Sequence, residues 1–216
     1  MTVHDKERLL KSMDQVVELI DNIKNESFPE LSNIKIQLST FESDFAFLTS
    51  RPITYSLFLP FKVKYKIGIN RKLFTFKLPL FALEGILAHE LAHTSFYVVK
   101  GRLRTIFTGV AILHHHENIE FERRTDIDAI TRGYGEGIKA YREVLYRELS
   151  DEQIAKKNER YFSPEEIDAL VAAYADYPEL RDIWLRNPPL DLVSIHSGVA
   201  DYIAKRDAEK QQGHVA

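Results

Sequence analysis

Two histidines and a glutamate lie close together in the stretch EGILAHELAH, residues 84–93. His89, Glu90 and His93 follow the order His-Glu-x-x-His, so the two imidazoles are four residues apart. Residues i and i+4 are neighbours on one face of an α-helix, and two imidazoles placed there can bind one tetrahedral zinc ion. Glu90 is rotated off that face, so it can reach a water on the metal rather than the metal itself. The stretch therefore predicts a zinc site with Glu90 as the general base.

A third zinc ligand is predicted in the stretch EFERRTDIDA. Zinc in a hydrolase normally has three protein ligands and one open position. Glu122 and Asp126 are four residues apart, and like charges at this spacing are unfavourable on a solvated helix unless a cation lies beside them. We therefore predict that Glu122 binds the metal and that Asp126 accepts the free N–H of His89, which fixes its tautomer. An ion pair of Glu122 with Arg123 or Arg124 is the alternative.

A run of three histidines offers a rival third ligand. His114, His115 and His116 are able to bind zinc, although such runs are also common in solvated loops. Phe96 and Val99 stand where the extended His-Glu-x-x-His-x-x-Gly-x-x-His pattern requires Gly and His, so that pattern is absent. The chain has no cysteine, which excludes disulfides and thiolate-ligated zinc.

The spacing of apolar residues places these side chains on two helices. Leucines at helical intervals after Pro79 predict a helix over about 80–99, with the two histidines on a different face from the leucines. A second long helix is predicted over about 118–149. Its core stripe consists of Ile127, Ile130, Tyr134, Tyr141, Leu145 and Leu149.

Small residues on both predicted helices indicate close packing. Gly133 and Gly137 are predicted to let the second helix lie against Ala88 and Ala92 of the first, and Gly85 to leave space above the first histidine ligand. The alternative is that the glycines of RGYGEG break the second helix.

The remaining pattern predicts a small antiparallel sheet and more helices. Apolar residues alternate over 34–38, 45–47 and 55–59, and most clearly in FKVKYKIGIN, whose lysines suit an exposed or edge strand. An extended peptide could pair with that edge at 61–69. Helices are predicted over about 4–24, from Ser163-Pro164 to about Tyr177, and over about 197–210.

Length and composition predict a single α+β domain over 1–216, mostly helical, with the sheet packed on the His-Glu-x-x-His helix. The catalytic core is expected over about 61–150 and a C-terminal helical part over about 151–210. A net charge of −3 argues against a nucleic-acid partner. The N-terminus has no apolar signal segment and no apolar run reaches the length of a membrane span, so a cytoplasmic protein is expected. Peripheral membrane contact through 105–113 is an open alternative, and no feature specifies an oligomeric state.

HELAH followed by Glu-x-x-x-Asp resembles the gluzincin metallopeptidases. The chain also resembles their minimal HtpX-like branch, in which a short strand with an Asn, here IGIN, precedes a helix resembling GILAHELAH. The resemblance covers about residues 61–137. It implies a zinc peptidase with His89, His93 and Glu122 as ligands and Glu90 as base. The sequence departs from that branch in lacking its transmembrane helices and a clear counterpart of its C-terminal His/Arg motif.

The predicted function is therefore a zinc-dependent hydrolase, a metallopeptidase with one Zn²⁺ per chain that acts on a peptide or protein substrate. Glu90 would take a proton from water and pass it to the leaving amine. Tyr134, His196 and Arg132 are candidate donors to the oxyanion. Two alternatives stay open: a non-catalytic zinc-stabilised module, and a membrane-surface or partner-binding protein in which the histidines are incidental.

Overall fold

The computed structural model of the protein describes residues 9–43, 46–57, 63–111 and 115–213, with side chains described outside 102–118 and 212–213. The chain is mostly helical with one small sheet, which confirms the predicted α+β class. The strands are β1 (Ile36–Phe41), β2 (Leu48–Pro52) and β3 (Tyr65–Asn70). The helices are α1 (Met13–Ser27), α2 (Thr54–Leu57), α3 (Leu80–Ala111), α4 (His115–Ala129), α5 (Gly135–Glu148), α6 (Asp151–Arg160), α7 (Pro164–Asp176), α8 (Leu180–Arg186) and α9 (Leu192–Gly213).

The sheet is mixed rather than antiparallel. Its order is β1-β3-β2, with β1 parallel and β2 antiparallel to β3. The strand of FKVKYKIGIN is therefore central, and the prediction of an edge strand there is wrong. Alternation of lysines with apolar residues indicates that one face is polar, but it does not show whether the backbone edges are paired. Within the described residues the edge strands are β1 and β2, and β2 packs on α3.

Two N-terminal predictions need correction. A helix begins at Met13, so residues 9–12 of the helix predicted over 4–24 are not helical, and residues 4–8 lie outside the described residues. Ser12 and Gln15 form a capping box at this start, and the backbone N–H of Leu10 pairs with the C=O of Leu78. The predicted strand at 55–59 is a single helical turn, α2, as far as it is described. There the hydroxyl of Ser56 donates to the C=O of Ile53 and closes the turn.

The helix α3 carries the His-Glu-x-x-His stretch as predicted, and it continues to Ala111. Gly101 interrupts it with φ of +75°, a left-handed conformation that favours glycine. The helix predicted to end near residue 99 is thus longer than expected, with Gly101 as the break within it. No helix in this part of the chain has both the length and the apolar character needed to cross a membrane.

The predicted second helix is divided into α4 and α5 by a π-helical segment, Ile130–Tyr134. Gly133 adopts φ of +97° there and has open space where a Cβ would lie, so its role is backbone conformation rather than packing. Gly137 is the packing glycine. It faces Gly85 of α3, and a Cβ on Gly85 would lie 2.2 Å from the carbonyl carbon of Gly137. Gly85 therefore allows α3 and α5 to approach, and does not serve to clear space above a histidine.

The C-terminal helices begin at side-chain caps. Ser163 and Glu166 form a capping box at the start of α7, where the helix is predicted to begin, and α7 ends before Tyr177 as predicted. The last helix begins at Leu192 rather than near 197, because Oδ1 of Asp191 accepts the backbone N–H of Ser194. Ser150 and Gln153 cap α6, which the sequence analysis did not predict.

Candidate metal centre and adjoining cleft

Three potential metal ligands converge between α3 and α4. Nε2 of His93 lies 3.1 Å from Nε2 of His89 and 3.1 Å from Oε2 of Glu122, and Nε2 of His89 lies 3.3 Å from the same carboxylate oxygen. Both imidazoles are buried, and the Glu122 side chain is 16% exposed. The structure thus brings together the three residues that the sequence analysis named as ligands.

The tautomers of the two histidines follow from their other ring nitrogens. Nδ1–H of His89 donates to Oδ1 of Asp126 at 2.7 Å, the contact predicted from sequence. Nδ1 of His93 lies 3.3 Å from the hydroxyl of Thr125, which donates its own proton to the C=O of Phe121 and so can only accept from the ring. Both Nε2 atoms of the neutral rings therefore present lone pairs to each other and to Glu122.

This arrangement fits a tetrahedral cation. Two imidazole lone pairs and a carboxylate oxygen repel one another at about 3 Å unless a positive charge lies between them. Zinc binds nitrogen and oxygen ligands at about 2.0–2.1 Å, so three of its tetrahedral ligands lie about 3.3 Å apart. The observed separations of 3.1, 3.1 and 3.3 Å match that requirement.

The electrostatic environment also favours a positive charge at this point. Burial lowers the pKa of His89, but the carboxylates of Asp126 and Glu122 outweigh burial and raise that pKa from the ordinary 6.5 to about 10. Burial raises the pKa of Glu122, and the adjacent His93 and His89 outweigh it and bring the pKa well below its ordinary value. The site therefore holds a negative carboxylate and attracts either a proton or a metal ion.

Asp126 lies at the centre of a buried network behind the histidines. Besides His89, it accepts the backbone N–H of Phe162 at 3.3 Å and lies 3.4 Å from Nη2 of Arg142. Both Asp126 and Arg142 are almost completely buried. Burial raises the pKa of Asp126, and Arg142 and His89 outweigh it and lower that pKa, so Asp126 stays ionised. The alternative ion pair of Glu122 is not seen among the described residues, since Arg123 pairs with Glu166 and Nη2 of Arg124 donates to the C=O of Arg186.

Glu90 borders a cleft of about 490 Å³ that also reaches His89. Its Oε2 is buried and has no hydrogen-bond partner among the described residues. Burial raises the pKa of Glu90, which makes its carboxylate a stronger base. Segment 46–48 and Ile86 contribute apolar lining, and α6 contributes polar lining.

Asn70 shapes one side of this cleft. It is fully buried, and its amide donates to the C=O of Ser43 at 2.6 Å and of Ala46 at 2.8 Å. Its backbone N–H donates to the C=O of Phe47. The Asn of IGIN, noted in the sequence only through a resemblance, therefore fixes the segment that leads into β2.

The three predicted oxyanion donors do not line the cleft. The hydroxyl of Tyr134 pairs with that of Ser27 at 2.8 Å. Arg132 is bound to Glu30, Asp128 and the C=O of Ser27. His196 is exposed on α9.

Other side chains that the sequence analysis missed occupy the cleft. The ring of Tyr161 lies 5.9 Å from that of His89, 4.4 Å from the guanidinium of Arg142 and 5.4 Å from Nζ of Lys157. Burial raises the pKa of Tyr161 well above its ordinary value, so its hydroxyl keeps its proton. The chain separation of about seventy residues between Tyr161 and His89 leaves no local sequence signal for this contact.

Two predictions fall outside the residues that the structure describes. His114 is not among the described residues, and the side chains of His115 and His116 are not described either. The same holds for the side chains of 105–113, the segment with a predicted membrane contact. Both remain predictions.

Comparison with known proteins gives no relative for this chain. No protein-family model matches it, and neither does any curated protein or solved structure.

Proposed function

We propose that this protein is a zinc-dependent hydrolase that cleaves peptide bonds. The observation that carries the proposal is the convergence of His89, His93 and Glu122 on one point, beside a buried carboxylate that borders a cleft. A purely structural site would need no such carboxylate. Glu90 therefore favours catalysis over a non-catalytic zinc module.

The chain's own residues divide the work of hydrolysis. His89, His93 and Glu122 would hold the ion, which when bound lowers the pKa of water and polarises a carbonyl. Glu90 accepts a proton from the attacking water and delivers it to the leaving nitrogen, which suits its unpartnered Oε2. Tyr161 replaces the three donors named from sequence as the candidate that stabilises the oxyanion, because it lines the same cleft.

The cleft suits an extended peptide. Its volume of about 490 Å³ is in the range of sites that hold a few residues or a small ligand. Leu48, the first residue of β2, borders it. Since β2 is an edge strand within the described residues, backbone pairing with a substrate is proposed at β2 instead of β3.

Metal analysis combined with turnover tests this proposal. The purified protein should hold one zinc per chain and cleave peptides from a mixed library, and Glu122→Ala should hold much less zinc. Glu90→Gln should keep its zinc and melting temperature but lose hydrolysis. Turnover retained by Glu90→Gln would contradict its role as the base, and zinc without any hydrolysis in the parent would favour the non-catalytic module.

The histidine run provides the control for the third ligand. Replacing His114, His115 and His116 together by Ala should leave zinc content unchanged if Glu122 is the ligand. Loss of zinc in this variant, with Glu122→Ala unaffected, would instead assign the third position to a histidine.

A further inference from the structure

The helix α6 gives the cleft a cationic wall. Lys156, Lys157 and Arg160 line it from this helix, and Arg142 lines it from α5. Glu159 is the acidic residue that α6 adds to the lining, and it is exposed. The cleft therefore has more positive than negative side chains, although the chain as a whole carries a net charge of −3.

Two of these cations already have carboxylate partners. Nζ of Lys156 lies 2.7 Å from Glu152, and Arg142 is paired with Asp126. For Lys157 and Arg160, no ion pair with a carboxylate is found within the part of the chain that the structure describes. Nζ of Lys157 lies over the ring of Tyr161 instead. These two side chains are available to bind an anion.

Lys157 is held in an unfavourable environment when the cleft holds no anion. Burial and the positive charges of Arg142 and Arg160 lower its pKa, and the carboxylates of Glu122 and Glu90 offset only part of this, so the pKa falls from the ordinary 10.5 to about 8. Like charges this close to a half-buried ammonium repel it. An anion bound between Lys157 and Arg160 would remove that repulsion.

We propose that Lys157 and Arg160 bind a carboxylate of the substrate, so that the cleft selects acidic peptides. The carboxylate belongs either to an Asp or Glu side chain or to the peptide C-terminus, since both present the same group. Arg160 can bind both oxygens with its planar guanidinium, and Lys157 adds a point charge. Both residues line the same cavity as Glu90 and His89, so the bound carboxylate lies near the reacting centre.

The hydrolytic part of this inference rests on the proposed function, but binding can be measured without turnover. Three peptides of one neutral core sequence serve as probes: a C-terminal amide, the same peptide with a free C-terminal carboxylate, and the amide with one internal Glu. Zinc-loaded Glu90→Gln protein is titrated with each by calorimetry. We expect at least one carboxylate peptide to bind about tenfold more tightly than the neutral amide, which is about 1.4 kcal/mol.

The source of the carboxylate follows from which peptide gains affinity. Preference for the free C-terminus alone indicates recognition of the chain end, and preference for the internal Glu indicates recognition of a side chain. Equal affinity for all three peptides would overturn the inference.

Variants of α6 separate the two cations from the metal. Lys157→Gln with Arg160→Gln should abolish the preference for the carboxylate peptides, because both proposed cations are removed. If the metal alone held the carboxylate, this double variant would keep the preference. Lys157→Glu with Arg160→Glu should shift the preference to a peptide with an internal Lys. Lys205→Gln, an exposed lysine on α9 that does not line the cleft, is the matched control for loss of charge and should behave as the parent.

These outcomes are independent of the proposed catalysis. If the carboxylate preference is present and depends on Lys157 and Arg160 while the parent cleaves nothing, the binding inference stands and the peptidase proposal fails. If the parent cleaves peptides but the α6 double variant keeps the preference, the inference fails and the peptidase proposal stands.

Discussion

Asp126 joins the proposed metal ligand to the core. Its carboxylate receives the N–H of His89, the guanidinium of Arg142 and the backbone N–H of Phe162 in a completely buried position. Replacing the charge with a neutral amide weakens the histidine as a ligand and leaves Arg142 as a buried charge without a counterion. Repulsion between Glu122 and Asp126 on a solvated helix face is not the situation here, because Asp126 has no exposed surface.

We therefore predict that Asp126→Asn weakens both zinc binding and folding. Zinc affinity should fall about 10–100-fold, as for other partners of ligating histidines. The free energy of unfolding should fall by about 3–5 kcal/mol, the usual cost of breaking a buried ion pair. Chelator competition and urea unfolding measure the two effects. Asp168→Asn, which breaks an exposed pair with Lys139, is the control and should change zinc affinity and the free energy of unfolding little. Unchanged zinc affinity in Asp126→Asn would contradict the link between Asp126 and His89.

Tyr161 carries a separate prediction at the residue level. Tyr161→Phe removes a protonated hydroxyl from the cleft but keeps the ring that contacts Arg142. Turnover of a cleaved peptide should fall about 10²–10³-fold if the hydroxyl stabilises the oxyanion, with zinc content unchanged. Tyr134→Phe, whose hydroxyl binds Ser27 outside the cleft, should leave turnover at the parent level. Equal turnover in parent and Tyr161→Phe would remove the hydroxyl from the reaction.

Local spacing explains which site residues the sequence could reveal. His89 and His93 are related by one helical turn, as are Glu122 and Asp126, so a helical period alone aligns each pair. Tyr161 and Lys157 reach the cleft only through the packing of α6 on α4, which no local period encodes. Tyr134 is correctly aligned on its helix stripe, but the π segment before α5 and the contact with Ser27 direct its hydroxyl elsewhere.

At the level of elements, the approach of α3 to α5 depends on glycine. A Cβ on Gly85 would meet the backbone of Gly137 at 2.2 Å, and one on Gly137 would meet the C=O of Phe81 at 2.5 Å. Backbone atoms cannot move aside as a flexible side chain can. The two helices would therefore have to separate, and α3 carries His89 one turn after Gly85.

We predict that Gly85→Ala destabilises the protein although helix propensity favours it. Alanine is better than glycine in a helix by about 1 kcal/mol, whereas overpacking costs about 1–3 kcal/mol and a backbone clash belongs at the upper end. The measurement is chemical unfolding of the zinc-loaded protein. Val99→Ala, a 69% exposed position on the same helix, controls for substitution away from α5. A Gly85→Ala protein as stable as its parent would show that the close approach is not required.

The sequence identifies the elements whose apolar residues recur at the spacing of a helix or a strand. The helices α3 and α7 and the strand β3 carry such periods and were identified, and Ser163 marked the start of α7 correctly. Helix α6 was missed because none of its ten residues is buried, so DEQIAKKNER has no apolar stripe. The place of β3 in the middle of the sheet was also missed, since strand order depends on long-range pairing.

At the level of the whole molecule, the proposed zinc site would couple folding to pH. In the metal-free protein the carboxylates of Asp126 and Glu122 raise the pKa of His89 to about 10, against 6.5 for an ordinary histidine. A group whose pKa is raised by folding stabilises the folded state fully below its unfolded pKa, and that contribution is lost as pH rises through the folded value. The metal-free protein should therefore lose stability between about pH 6.5 and about pH 10. When zinc takes the lone pair of His89 there is no proton to lose, so the loaded protein should not show this decrease.

Zinc binding would have to displace the proton of His89, and this sets the direction in which zinc affinity changes with pH. Below the raised pKa each unit rise in pH makes the displacement about tenfold easier, so zinc affinity should increase by up to about tenfold between about pH 7 and about pH 8, with release of about one proton per ion. Calorimetry in buffers of different ionisation enthalpy counts the protons, and chelator competition gives the affinities. His196→Ala, which removes an exposed histidine on α9, should leave both values unchanged.

Asp126→Asn should lower the pKa of His89 and thus reduce the proton release, because one of the two carboxylates that raise this pKa is gone. A zinc affinity that does not change with pH over this interval would show that no proton occupies the site before the metal binds. The negative charges of Asp126 and Glu122 would then not explain why the site attracts a cation.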